Sequence, residues 1–288
     1  MCFASEGCRT ARLAPQVRIG LAGALVVALT MQRAMPLSAE PAASPGWREV
    51  WTGADISTDV WLIYSGVTVA PMGHIHSEGI RMRAAGGYGE YRYSDTPFGG
   101  EARTFNAKTH FADVLVGYQT RFGELTAKAF IGASLISHDI APIDEETLVI
   151  GSDVGIKGVL ELWLNMGPNA WTSLDLSWST AHETRTARFR TGYRVWPSIS
   201  VGLEGGVNVD AQGECRMQEK DGKGCLLVHT ETYEAADLLD YSRAGVFVRH
   251  EWSSGEVSVS GGVLGGSFRG DDVSSLNPYG TVTWLTQF

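Results

Sequence analysis

The strongest constraint in this sequence is a two-residue hydrophobic period that persists over unusually long segments. In "SISVGLEGGVNVD", Val201, Leu203 and Val207 alternate with polar residues such as Glu204 and Asn208. The same alternation recurs in "TARFRTGYRV" and "GEVSVSGGV". A period of two predicts β-strands, because successive side chains of a strand point to opposite faces. Segments of about ten residues, apolar on one face and polar on the other, are typical of transmembrane β-barrel strands.

We therefore predict an all-β fold, a single antiparallel transmembrane β-barrel of about twelve strands. The strands are expected near residues 48–57, 60–70, 79–94, 107–122, 124–137, 149–164, 170–182, 184–195, 198–210, 240–252, 255–268 and 277–288. A soluble β-sandwich also alternates, but its strands are usually shorter. Short connections alternate with longer polar ones, so we expect both termini in the periplasm and the longer loops outside the cell.

The N-terminal segment has the layout of a secretory signal peptide. Arginines precede the uncharged apolar run "IGLAGALVVALTM", and small residues follow it. This run is shorter than a membrane-spanning helix requires. We expect a signal peptide at 1–39, a short periplasmic linker at 40–47 and the barrel at 48–288. Cleavage is expected after Ala39, with Ala43 as the alternative, and the exported chain is expected in the outer membrane.

The C-terminal segment "PYGTVTWLTQF" also alternates and finishes on Phe288. A terminus that is not held by structure usually frays. In a barrel, however, the last strand pairs with the first, which removes the edges of the sheet and satisfies its backbone in lipid. We expect this strand to close the barrel. Its terminal aromatic residue resembles the signal that outer-membrane barrels present to their assembly machinery.

Two cysteines remain after the predicted signal peptide, Cys215 and Cys225, in a stretch rich in glycine and charge. Two cysteines this close in an exported loop most simply form one disulfide. A metal site would require further ligands at a fixed spacing, and His229 alone does not supply them. We expect the disulfide.

The charge of the chain limits its partners. The formal net charge is −9, and removal of the arginine-rich signal peptide makes the mature chain more acidic. Nucleic acid is not an expected partner, because its binding requires a basic surface. The partner that the strand pattern itself predicts is the lipid of the outer membrane.

Charged residues fall on the strand face that is predicted to line the barrel interior. They are Arg81, Arg83, Lys128, Lys157, Glu161, Asp175, Arg188, Arg190, Arg194, Glu204, Arg249 and Glu251. The aromatic residues Trp51, Tyr91, Phe130, Trp163 and Phe247 share that face. Two interpretations are open. The interior is either a polar conduit whose rings contact sugar, or a network of salt bridges that fills the barrel and stiffens it.

Catalytic candidates are His138 with Asp139, and His182 with Ser177 or Ser179. A nucleophile needs a base within hydrogen-bond reach. Ser179 is predicted to face inward, whereas His182 falls outward or in a turn, so their sides do not match. No spaced ligand set predicts a metal, and no glycine-rich loop predicts a nucleotide. We expect a non-enzymatic protein without cofactor or metal.

Several segments together carry a family resemblance that runs through essentially the whole mature chain. They are "VWTGADIS", "GIRMRAAGGYGEYRYS", "FADVLVGYQ", "TAKAFIGASLISHDI", "GIKGVLELWLN", "SLDLSWSTAH", "RTGYRVWPSISVGLEGG" and "GEVSVSGGV". In this order they resemble the BcsS family of bacterial cellulose-biosynthesis proteins. The resemblance implies an outer-membrane component of cellulose production, with cellulose or other subunits of the cellulose machinery as partners.

The function we expect is therefore a step in cellulose export or in its organisation at the cell surface. The resemblance supplies no catalytic residues. A passive porin or structural barrel is the first alternative, and an outer-membrane hydrolase of lipid or glycan is the second.

Overall fold

The chain folds into twelve consecutive β-strands. The computed structural model describes residues 46–95, 102–143, 150–209, 242–265 and 277–288. The strands are β1 Arg48–Ser57, β2 Val60–Val69, β3 Gly79–Asp95, β4 Arg103–Phe122, β5 Leu125–Ala141, β6 Gly151–Met166, β7 Ala170–Ser179, β8 Arg185–Trp196, β9 Ile199–Val209, β10 Ser242–Trp252, β11 Gly255–Gly265 and β12 Asn277–Gln287. No helix in the described ranges is long and apolar enough to cross a membrane. The predicted signal peptide and the Cys215–Cys225 pair lie outside the described residues.

The strands form one closed antiparallel sheet. Each strand pairs with its neighbours in sequence, and β12 returns to pair with β1. The closing register runs from Glu49 opposite Gln287 to Ser57 opposite Tyr279. Closure leaves no edge at this seam, so the backbone groups of the first and last strands satisfy each other. The predicted twelve-stranded antiparallel barrel, closed by the C-terminal strand, is confirmed.

The outer surface of the barrel is apolar. Leu203 is 61% exposed and Val259 46% exposed, whereas their chain neighbours Glu204 and Ser258 are each only 4% exposed. The alternation therefore turns apolar side chains outward and polar ones inward, the reverse of a water-soluble protein. Large exposed rings lie near both ends of this surface: Trp61, Tyr88 and Trp178 at one end, and Tyr118, Trp196 and Trp252 at the other. Such rings are enriched where a membrane meets water.

The two ends of the barrel differ. One end, called the inner end here, carries the first residue of β1 and the last residue of β12. The Phe288 N–H donates to the Arg48 carbonyl there, at 3.0 Å. The short turns after β4, β6, β8 and β10 lie at the same end, together with the longer connection after β2, and the connections after β3, β5, β9 and β11 lie at the opposite, outer end. We expect the inner end to face the periplasm.

Two strands are longer than the sequence pattern predicts. The structure begins β4 at Arg103 rather than near residue 107, and it ends β5 at Ala141 rather than near residue 137. On the inner face of this extension, Tyr93, Phe105 and Ile140 pack in one buried cluster. Ring packing holds the hairpins together beyond the apolar band, where the short-range alternation had become too weak to indicate a strand.

The connection between β2 and β3, residues 70–78, folds inward at the inner end and is called the inner cap. Ile75 in this segment is only 2% exposed, and its N–H donates to the Gly46 carbonyl at 2.8 Å. The buried Arg81 guanidinium donates to the carbonyls of His74 and Ile75, both at 3.2 Å, and to that of Ser77. One cation therefore satisfies three carbonyls of a segment that has no strand partner.

Replacing Arg81 with alanine should loosen the inner cap while the strands remain paired. The three carbonyls would lose a charged donor, and hydrogen bonds to charged groups are each worth about 1.5–3 kcal/mol. Hydrogen exchange of residues 70–78 should accelerate, while exchange in β9 stays unchanged. The control is His76→Ala, which removes only the exposed contact to Gln287 (2.8 Å). Equal exchange in the Arg81→Ala and His76→Ala variants would contradict the pinning role of Arg81.

Candidate functional site in the barrel interior

The interior of the barrel contains the charged residues that the sequence pattern assigns to it. Along each strand that carries them, these residues occupy the same alternate positions as the buried residues that line the interior. The structure places on the inner face Arg81, Arg83, Lys128, Lys157, Glu161, Asp175, Arg188, Arg190, Arg194, Glu204, Arg249 and Glu251. Strand periodicity alone determines which face a side chain occupies, and the contacts across the interior determine what each one does.

A central group of charges joins strands that are not neighbours. Arg83 on β3 bonds Glu161 on β6, with 2.5 Å between Nη1 and Oε1. Lys128 on β5 lies 3.9 Å from the other oxygen of Glu161 and 3.5 Å from Glu49 on β1. Because β4 and β5 separate β3 from β6 in the wall, these side chains meet only by reaching across the interior. The group ties one side of the barrel to the other.

A second pair lies beside this group. Lys157 on β6 bonds Asp113 on β4, with 2.5 Å between Nζ and Oδ2. The hydroxyl of Ser134 on β5, between these strands, donates to the other oxygen of Asp113 at 2.5 Å. Both carboxylate oxygens of this buried aspartate thus have partners, which is the condition for keeping a charge away from water.

A third group centres on Glu204. Its carboxylate accepts from Arg188 at 2.6 Å and from the Tyr279 hydroxyl at 2.7 Å. Its side chain is fully buried. Arg243 on β10 lies 3.7 Å from Asp55 on β1, and the Asp55 carboxylate also accepts from the Thr281 hydroxyl on β12. β8, β9, β10, β12 and β1 are therefore linked through polar contacts on the inner face.

Aromatic rings fill the inner-end half of the interior between β6 and β10. Trp163 and Trp171 are stacked with their centroids 4.3 Å apart, and Phe247 lies 5.4 Å from Trp171. The Arg249 guanidinium lies over both indoles, at 4.6 and 5.0 Å, and also bonds the Glu251 carboxylate at 2.7 Å. Trp171 is completely buried. The rings contact one another and a cation rather than an open surface, so they do not form a free track for sugar.

Most of these interior rings lie opposite a glycine on the next strand. The pairs in direct register are Trp51 with Gly66, Tyr64 with Gly53, Phe111 with Gly87, Phe130 with Gly117, Trp171 with Gly192 and Phe247 with Gly202. A Cβ atom added at Gly192 would lie 2.5 Å from the Trp171 ring. The absent side chain therefore makes room for a ring to lie flat against the wall. The sequence alone does not identify these pairs, because pairing a ring with its glycine requires the register.

The remaining predicted residues are bound less tightly. Arg194 lies 3.7 Å from Glu251, and both side chains are about a quarter exposed. Arg190 has no carboxylate within 4 Å in the described ranges, and its guanidinium lies 6.0 Å from the rings of Trp171 and Phe247. Asp175 faces Arg188 in the register of β7 and β8. These side chains add charge to the interior without belonging to a compact bonded group.

The lining is buried from water at several levels of the barrel. Thr68, Ser134, Trp171 and Ser200 come from four different strands and are all less than 2% exposed. Residues that line a water-filled channel would be exposed to it. Of the two interpretations open from the sequence, this burial favours the network that fills the interior over the open conduit.

The catalytic candidates do not assemble into a catalytic site. The Ser179 hydroxyl accepts from the Ala181 N–H at 3.1 Å, and the Ser177 hydroxyl lies 2.7 Å from that of Thr186. His182 lies in the 3₁₀ turn after β7, with its ring 5.1 Å from the His138 ring. In this part of the described chain, neither imidazole is hydrogen-bonded to either serine. In the described part of the chain, no group of three or more His, Cys, Asp or Glu side chains could hold a metal ion.

A closed barrel with an apolar outside and a polar, cross-linked inside defines a transmembrane β-barrel protein. The sequence profile of cellulose biosynthesis protein BcsS matches residues 50–219, from β1 through β9 and into the connection that follows. The chain belongs to the BcsS family. A comparison with curated protein sequences gives no significant match.

Solved structures with a similar architecture are outer-membrane barrels. The KdgM porin is 8% identical, with 83% of this chain and 99% of that chain covered and a TM-score of 0.41. The translocator domain of autotransporter NalP from Neisseria meningitidis is 13% identical, with 93% and 95% covered and a TM-score of 0.43. An outer membrane channel from Pseudomonas putida F1 is 12% identical, with 87% and 100% covered and a TM-score of 0.44.

Proposed function

We propose that this protein serves bacterial cellulose production in the outer membrane as a non-enzymatic barrel. It acts at the export or surface-organisation step through its exposed surfaces, and its interior is a stiffening network rather than the route of the polymer. The family supports the link to cellulose. The apolar outer surface supports the membrane location.

The observation that carries this proposal is the set of bonds across the interior. Arg83 to Glu161, Lys128 to Glu49 and Lys157 to Asp113 each connect strands that are not adjacent in the wall. A polymer passing through would have to break these bonds and leave buried charges without partners. Breaking one buried pair by removing a partner costs about 3–5 kcal/mol. A surface role requires no such rearrangement.

The contacts with partners are proposed at the two ends. The segment between β9 and β10 that contains Cys215 and Cys225 is the proposed contact with cellulose or with other subunits, and a disulfide between the two cysteines is proposed to hold it in shape. At the inner end, Phe288 is the proposed recognition element for the barrel-assembly machinery. Its ring is 54% exposed, while its backbone pairs with Arg48.

The filled interior predicts that the purified protein forms no steady ion-conducting pore in a planar lipid bilayer. A barrel whose interior bonds are broken should conduct more, so the Glu161→Ala, Asp113→Ala double variant is the comparison. The matched control is Glu90→Ala with Asp139→Ala, two positions on the outer face near the outer end, of which Glu90 is half-buried and Asp139 exposed. Steady conductance by the unaltered protein at neutral pH would instead favour the passive-porin alternative.

The hydrolase alternative is tested separately on the same protein. Lipid esters and β-linked glucans incubated with the purified barrel should remain intact. Cleavage that disappears in a Ser179→Ala or His138→Phe variant would overturn the non-enzymatic proposal, because these were the side chains with catalytic potential.

A further inference from the structure

The 3₁₀ turn that follows β7, residues Ala181–Glu183, folds inward at the outer end and is called the outer turn. Ala181 is completely buried. The backbone N–H of His182 donates to the Asp153 carboxylate at 3.0 Å. Just before the turn, the Thr180 hydroxyl accepts from the Ile156 N–H at 2.8 Å. The outer turn therefore lies against β6 on the inner face of the barrel.

The contact with β6 depends on a glycine. A Cβ atom built on Gly155 would lie 2.2 Å from the backbone nitrogen of Ala181. A carbon and a nitrogen atom that are not bonded to each other do not approach that closely. The backbone nitrogen cannot move away easily, because it is part of a folded turn. The outer turn can occupy its position only because residue 155 has no side chain.

The conformation of the outer turn is strained. His182 has φ 46° and ψ 25°, and Glu183 has φ 47°. Residues other than glycine adopt this left-handed region rarely, and two in succession are rarer still. Such a conformation persists only when surrounding contacts hold it, and strain of this kind is concentrated at switches and functional sites.

A contact between two imidazoles also holds the turn. The His182 ring meets the His138 ring edge-on, with centroids 5.1 Å apart. His138 is 8% exposed, and its Nδ1 lies 3.1 Å from the Tyr91 hydroxyl. The Nε2 of His182 is buried without a hydrogen-bond partner in the described ranges.

These histidines lie beyond the apolar band. The last outward apolar position on β5 is Leu135, and the next outward charge on this strand is Asp139, with Lys108 opposite it on β4. The rings therefore lie on the aqueous side of the band, where protons have access. The titratable groups nearest them are Tyr91 from β3, Asp153 from β6 and Glu183 from the turn itself, together with His110 on the outer face of β4.

Burial first, and then the proximity of His182 and His110, lowers the pKa of the His138 imidazole to about 4. An exposed histidine has a pKa of about 6.5. The closed arrangement therefore binds fewer protons than a released one. Its stability is complete above about pH 6.5, falls as the pH decreases from there, and stops falling below the lowered pKa.

We propose that the outer turn is a latch at the outer end of the barrel that acid releases by protonating the buried His138 ring packed against it. A proton on His138 would place a charge in a buried position with no carboxylate bonded to it in the described ranges, which is costly. The outer turn is strained, and apart from the ring contact it is held by hydrogen bonds to Ser179 and Asp153. Release uncovers the His138 end of the ring cluster that contains Tyr91. This inference is independent of the role in cellulose production.

Hydrogen exchange of the purified full-length barrel in lipid vesicles tests the latch. Protection factors, corrected for the intrinsic effect of pH on exchange, are measured for residues 179–184 at pH 7.5 and pH 4.5. We expect protection to fall at least about tenfold at the lower pH, since one pKa unit corresponds to a factor of ten. Protection in β9 should stay constant and serves as the internal control.

Three variants separate the latch from general acid unfolding. His138→Phe keeps a ring and removes the titration, so protection should persist at pH 4.5. His182→Asn tolerates the left-handed backbone and removes the ring contact, so its pH dependence should be smaller. Gly155→Ala should give low protection at both pH values, because its Cβ displaces the turn. The same fall in His138→Phe and His182→Asn as in the unaltered protein, or unchanged protection of the unaltered protein at pH 4.5, would overturn the proposal.

Discussion

Arginine in place of Leu203 is expected to destabilise the inserted barrel by about 2–4 kcal/mol. Leu203 is 61% exposed on the outer surface, halfway along β9, and its neighbours on β8 and β10 are Thr191 and Val246. At that depth a guanidinium would sit in hydrocarbon, far from either interface. The measurement is reversible unfolding in lipid vesicles with increasing denaturant, followed by tryptophan fluorescence.

The control introduces the same charge close to an interface. His250 lies on the outer surface near the inner end of β10, and His250→Arg should cost about 0–1 kcal/mol. Equal costs for Leu203→Arg and His250→Arg would show that no depth-dependent lipid contact exists. The assignment of the apolar face to lipid would then be wrong.

Alanine in place of Glu204 is expected to cost about 3–5 kcal/mol, because it leaves a buried cation without its partner. Arg188 bonds this carboxylate at 2.6 Å, and Tyr279 donates to its other oxygen at 2.7 Å. The measurement is the same unfolding experiment. Tyr279→Phe removes one hydrogen bond and leaves the ion pair, so it should cost about 1 kcal/mol.

Arg194 provides the matched control for the interior network. Its side chain is 23% exposed, and it lies 3.7 Å from Glu251. Glu251 keeps its bond to Arg249 when Arg194 is removed. Arg194→Ala should therefore cost about 0–1 kcal/mol, as for an exposed pair. A cost for Glu204→Ala no larger than for Arg194→Ala would mean that water screens the interior and that the barrel is open.

The fold could be predicted from the sequence because its main determinant is local. The alternation of apolar and polar residues around Leu203 places one face of the strand in lipid and the other in a polar interior, which predicts a barrel. Closure of that barrel then requires β12 to pair with β1. The extension of β4 to Arg103 could not be predicted in this way. It depends on Phe105 packing against Tyr93 and Ile140, residues that lie on different strands.

For the interior, the sequence predicts only which side chains point inward. Periodicity turns Arg83 and Glu161 inward, but it does not indicate that they meet across two intervening strands. Likewise, Trp171 and Gly192 are unremarkable in sequence until the register brings them opposite each other. The role of Arg81 in the inner cap could not be predicted either. The sequence indicates only one more inward charge, whereas in the structure its guanidinium donates to three backbone carbonyls.

The central claim is that the barrel supports cellulose outside the cell without making it. The most direct measurement compares a deletion strain with its parent for the amount and assembly of extracellular cellulose, and for the polymerising activity of isolated membranes supplied with nucleotide sugar. A strain carrying Cys215→Ser and Cys225→Ser tests the role of the segment between β9 and β10 that contains the two cysteines. We predict less or poorly assembled extracellular cellulose with unchanged polymerising activity. Normal amounts of normally assembled cellulose in the deletion strain under producing conditions would contradict the proposed function.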